Sequence, residues 1–69
     1  MKRYKAHIQY GVGEEAPWGF DIVWIDTKTI IGTSQKIADA IEDLKYSAMM
    51  DCYLPSHKPF ADIAYSEPA

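Results

Sequence analysis

One cysteine, Cys52, is all the thiol this chain has, which excludes an internal disulfide and falls short of a zinc set. With that cysteine unpaired, the expected setting is the cytoplasm. Long apolar runs are missing too: nothing approaches the roughly 18 residues of a spanning helix, and the basic start of the chain is followed by no apolar signal segment. Positive charge is scarce, with seven basic against ten acidic side chains and a net charge of −3. Nucleic-acid binding needs clustered positive charge, so the balance argues against a phosphate backbone as the main ligand.

What is present belongs to a folded globular protein: 48% hydrophobic and 13% aromatic residues with 25% charged ones. The 69 residues make one domain, 1–69. A chain of this size buries only about 60% of the surface its unfolded state exposes, so a partner or self-association gains weight as a source of stability.

Tyr4, Ala6, Ile8, Tyr10 and Val12 alternate with Lys5, His7 and Gln9, the pattern of a half-buried strand. Gly11 to Pro17 reads as a connection to a second strand from about Trp18 to Asp26. Asp26-Thr27-Lys28 reads as a turn, and Thr29-Ile30-Ile31 as a short third strand ended by Gly32. Thr33 or Ser34 offers a capping hydroxyl to a helix that runs to Met50 without glycine or proline. Ile37, Ala40, Ile41, Leu44 and Ala48 fall on one stripe of that helix. Pro55 and Pro59 bracket a stiff exit into a last strand, Phe60 to Tyr65, and Glu67-Pro68-Ala69 is expected to fray.

The expected fold is therefore α+β: a small antiparallel sheet of three to four strands with one helix packed on one face, order β-β-(β)-α-β. One helix covers one face. Strict alternation places Trp18, Phe20, Ile22 and Trp24 together, and the helix is expected to cover that aromatic side. Lys5, His7, Gln9 and Asp21 would then surround Val23 and Ile25 on the other side, a polar surface with an apolar centre, as interfaces have.

No constellation specifies a reaction. Cys52 and His57 are close in sequence, but Cys52 follows a helix C-terminus whose partial negative charge disfavours a thiolate. Gly11-Val12-Gly13 precedes Glu14 and Glu15, which would repel a phosphate. His7, Cys52 and His57 give at most three metal ligands without a pairwise motif. Neither catalysis, a cofactor nor a metal is expected.

The helix's outer side carries Asp39, Glu42 and Asp43 with Tyr46 and Met50, an acidic patch around an aromatic contact that could dock on a basic, partly apolar surface. Its plain alternative is a solvated helix face. Trp18, beside Pro17 at the hairpin's edge, is the other expected anchor. Three partner classes follow. The first is a larger protein that this module inhibits or regulates, of the kind phages and mobile elements encode. The second is another copy, in a homodimer or larger assembly built through Val23, Ile25 and an edge strand. The third is single-stranded nucleic acid on Arg3, Lys5, His7 and the nearby tyrosines, the weakest given the net charge.

Gly32-Thr33-Ser34 followed by Ile37, Ala38 and Ile41, with a strand-turn-strand before the helix and a Leu54-Pro55 exit to a last strand, resembles the partial nuclease-fold domain of HicB-type antitoxins. Ile25-Asp26-Thr27-Lys28 stands where that family typically has a proline-aspartate loop. The resemblance implies a toxin-blocking protein, which binds and does not catalyse.

Overall fold

The computed structural model describes residues 2–69. Strand β1 (Tyr4–Ala16) and strand β2 (Gly19–Gly32) form a long hairpin, helix α1 (Ser34–Met49) follows, and strand β3 (His57–Pro68) returns. The sheet order is β2-β1-β3, antiparallel throughout, so the fold is α+β with the order β-β-α-β.

β1 lies at the centre because both flanking strands pair along nearly its whole length. Its alternating residues supply the core: Ala6 and Ile8 are buried together with Ile37 of α1, and Tyr4, Ile30, Ala40, Ile41 and Leu44 pack around them. Full burial of Ile8 contributes roughly 1.5–3 kcal/mol. The helix presents the stripe its spacing predicts, and the Thr33 side chain accepts a hydrogen bond from the Lys36 amide at 3.3 Å, a cap that stabilises by about 1 kcal/mol. No acid in the first turn or base in the last turn assists the helix dipole, so packing carries its stability.

Several expected boundaries move. There is no turn at Asp26-Thr27-Lys28 and no separate strand at Thr29–Ile31, because β2 continues through both, opposite Tyr10, Gln9 and Ile8 and then His7, Ala6 and Lys5. The Asp26 carboxylate is held across the ladder by the Tyr10 hydroxyl at 3.2 Å. Continued pairing offers the backbone more hydrogen bonds than a turn would. For the same reason β1 extends through both glycines to Ala16, leaving only Pro17 and Trp18 as the hairpin connection, with Gly19 at φ 137°. β3 runs past Tyr65, and the C-terminal residues are paired instead of frayed: Glu67 meets Lys5 at 3.8 Å and the Ala69 amide donates to the Arg3 carbonyl at 3.1 Å.

The larger correction concerns which side chains share a face. The β1–β2 register skips Val23, since Val12 pairs with Trp24 and Gly13 with Ile22. A bulge of this kind reverses the alternation of everything beyond it. Trp24 therefore stays on the helix side, edge-on to Tyr10 with ring centroids 5.9 Å apart, while Phe20 and Ile22 turn to the opposite side. There Phe20 lies over Gly13 and meets Phe60 edge-on at 6.5 Å. Asp21, expected beside Lys5 and His7, moves the other way, opposite Glu14. The β1–β3 register skips Ala64 in the same manner: Ile63 pairs with Ile8 on the helix side, and Tyr65 stacks on His7 on the other.

Two consequences can be measured. At Gly11 an added Cβ would collide with the backbone carbonyl oxygen of Trp24, whereas at Gly13 it would meet only the Phe20 ring, which can swing toward solvent. Gly11→Ala is therefore expected to lower stability by about 1–3 kcal/mol in urea denaturation, and Gly13→Ala by less. Deleting Val23 would remove the bulge and leave a plain alternation in which Trp24 stays on the helix side and Phe20 and Ile22 stay on the open one. A single cooperative unfolding transition is expected to survive the deletion, and its loss would show that the pairs on either side of Val23 do not hold the register without the bulge.

Candidate functional site: two contact surfaces

The fold leaves two sides open, and the expected contact residues other than Trp18 divide between them. One is the sheet face away from α1. β1 contributes Lys5, His7, Gln9 and Glu15 with Gly11 and Gly13 between them, β2 contributes Phe20, Ile22, Ile25, Thr27, Thr29 and Ile31, and β3 contributes Lys58, Phe60, Asp62, Tyr65 and Glu67. Its apolar groups are half exposed: Phe20 50%, Ile22 52%, Ile25 49%, Ile31 47% and Tyr65 57%. Polar partners are local: His7 Nδ1 and Thr29 Oγ1 lie 3.1 Å apart, and Lys5 pairs with Glu67. Ile25 is on this face as expected, and Val23 sits at the bulge, half exposed and without a partner on β1.

The second surface is the outer side of α1 and the loop that follows. Asp39, Glu42, Asp43, Tyr46 and Met50 fall within one stripe at 100° per residue, opposite the core stripe, and all are exposed. Asp39 accepts a hydrogen bond from Gln35 Nε2 at 3.0 Å, while Asp43 stands one turn further along as a like charge. Glu42, Lys45, Tyr46 and Met49 line a shallow groove closed on one side by Pro59. Tyr53 and Leu54, which sequence spacing does not single out because they lie beyond the helix, are exposed and extend the apolar part of this surface.

Trp18 joins neither surface. It is 78% exposed at the hairpin tip, and its indole Nε1 donates to Asp21 Oδ2 at 2.9 Å, which fixes the ring without covering it. Phe20, Ile22, Ile31 and Tyr65 are the residues sequence reasoning placed wrongly or passed over. Their only sequence signal was an excess of apolar groups beyond what one helix covers.

Cys52 and His57 each bond to a different backbone group. Cys52 Sγ donates to the Ala48 carbonyl at 3.7 Å, and His57 Nδ1 accepts from the Tyr53 amide at 3.2 Å. Glu14 and Glu15 close the hairpin onto the loop before β3, the first accepting from Ser56 Oγ at 3.1 Å and the second donating its amide to the Ser56 carbonyl at 3.3 Å. No helix among the described residues is long and apolar enough to cross a membrane.

Comparison with protein-family models, curated proteins and solved structures finds no match to this chain. The ββαβ layout and the two surfaces thus define the class, a small two-layer α+β domain.

Tyr10 gives a titration that reports on the hairpin. Partial burial, then the Asp26 carboxylate beside it, hold its phenol above the usual tyrosine range. The folded state keeps this proton more tightly than the unfolded chain, so the associated stability is present below the ordinary tyrosine value and is lost as pH rises through the raised one. In alkaline absorbance titration Asp26→Asn is expected to bring one tyrosine back toward about 10. An unchanged curve would show that Asp26 does not act on Tyr10.

Proposed function

We propose that the protein is a small non-enzymatic protein-binding module that acts by contact, as an inhibitor or regulator of a larger protein of the phage or mobile-element type. One observation carries the reading. Among the described residues, thirteen large hydrophobic side chains are exposed while five hydrophobic residues form the buried core, and exposed apolar groups gathered into patches are what contact surfaces carry. These exposed groups concentrate on the open sheet face and at the C-terminal end of α1, the latter beside an acidic stripe suited to a basic, partly apolar partner surface.

A toxin-blocking role of the HicB type is a special case of this reading. The turn at Asp26-Thr27-Lys28, one element of that resemblance, is replaced by continuous strand. Binding of single-stranded nucleic acid draws on Tyr65, Phe20 and His7 as stacking groups, but the same face sets Glu15, Asp62 and Glu67 against Lys5 and Lys58. The lack of positive excess disfavours it.

The test uses native host lysate and two folded double variants, Ile22→Lys with Ile25→Lys on the sheet and Asp43→Lys with Tyr46→Ala on the helix. Wild-type protein is expected to retain one stoichiometric partner, with the helix variant losing it by at least tenfold. Retention by both variants would overturn the reading. So would a partner displaced by single-stranded oligonucleotide in a salt-sensitive way.

A further inference from the structure

We infer that the open sheet face is covered by a second copy of the same chain, packed face to face about a two-fold axis near Ile22 and Ile25. The inference rests on the reading of this face as a contact surface and names its occupant. The monomer's shape points the same way. A compact protein of 7.8 kDa exposes about 4,400 Å², while this one exposes 4906 Å². Its radius of gyration is 13.3 Å against about 11 Å for a compact chain of this length. The extra surface, about 500 Å², goes with an elongated outline of 44 × 21 × 14 Å in which the three-stranded sheet has a helix on one side only, leaving Phe20, Ile22, Ile25, Ile31 and Tyr65 half exposed on the other. With the threonines, His7 and Gln9 between them, the face approaches the roughly 800 Å² per partner of a stable dimer.

Charge selects the occupant. On this face Lys5 and Lys58 nearly balance Glu15, Asp62 and Glu67, and the Lys5–Glu67 pair is already closed within the chain. Two such faces meet without like-charge repulsion. The helix sides do not, because Asp39, Glu42 and Asp43 would confront their own copies. A two-fold arrangement also sets the patch of Phe20, Ile22, Ile25 and Phe60 against itself, as in aligned sheet packing with layers about 10 Å apart. Both acidic helix faces then point outward, free for a different partner. The β3 edge is less suited to the same task, since it carries Pro59 and Pro68.

Sedimentation of the full chain across the micromolar range tests this, together with thermal unfolding at each concentration. Twice the chain mass, with an unfolding midpoint that rises with protein concentration, is expected for the wild type. Ile22→Lys with Ile25→Lys should sediment as one chain while keeping its far-ultraviolet spectrum. If that variant fails to fold, the wild-type concentration dependence decides alone. A wild-type mass of one chain with a concentration-independent midpoint overturns the inference, as does a dimer that survives in the folded variant, which would place the contact at the β2 edge. A one-chain mass with a lysate partner lost by the sheet or helix variant removes only the second copy; a one-chain mass with no partner affected removes the binding reading as well.

Discussion

A single helix can cover one face of a sheet, and every other feature of this molecule follows from that shortage of cover. α1 lies over β1 and β3 and seals Ala6, Ile8 and Ile37 into a core that is small even for a chain of this length. A core so limited leaves little margin, because the area removed from water must offset the conformational entropy of the whole chain. The sheet compensates by length. β1 is paired on both sides almost from end to end, so backbone hydrogen bonding is nearly complete even where side-chain burial is not.

The two skipped residues, Val23 and Ala64, decide how that sheet meets water. Each inserts one residue into a flanking strand while β1 keeps its regular alternation. On the β2 side the effect is to keep Trp24 on the helix side and send Phe20 and Ile22 to the open one; on the β3 side it sets Ile63, itself still exposed, on the helix side and Tyr65 on the open one. Each bulge thereby re-aims apolar side chains toward water. The buried Gly11 and Gly13 belong to the same device, the first allowing the close approach of the β2 backbone and the second making room for the Phe20 ring.

The two exposed surfaces lie on opposite sides and differ in character. The sheet face is long, nearly balanced in charge and apolar at the hairpin half. The helix side is acidic, with apolar groups gathered toward Met49, Met50, Tyr53 and Leu54. Cys52 Sγ and His57 Nδ1 bond to backbone groups close by in sequence, at Ala48 and Tyr53.

The sequence by itself determined the helix, its capped start and its core stripe, because a 3.6-residue period and a threonine cap are local properties. It also determined the alternation of β1 and the presence of more apolar surface than one helix covers. The faces of Phe20, Ile22, Ile63 and Tyr65 were decided only by the tertiary structure. A bulge is a relation between two strands, and a period of two carries no mark of where its register will slip. The same holds for Asp26-Thr27-Lys28 and for Gly11 to Ala16. Read locally they are turns, and only pairing with a strand far away in sequence, which satisfies their backbone groups, makes them strand.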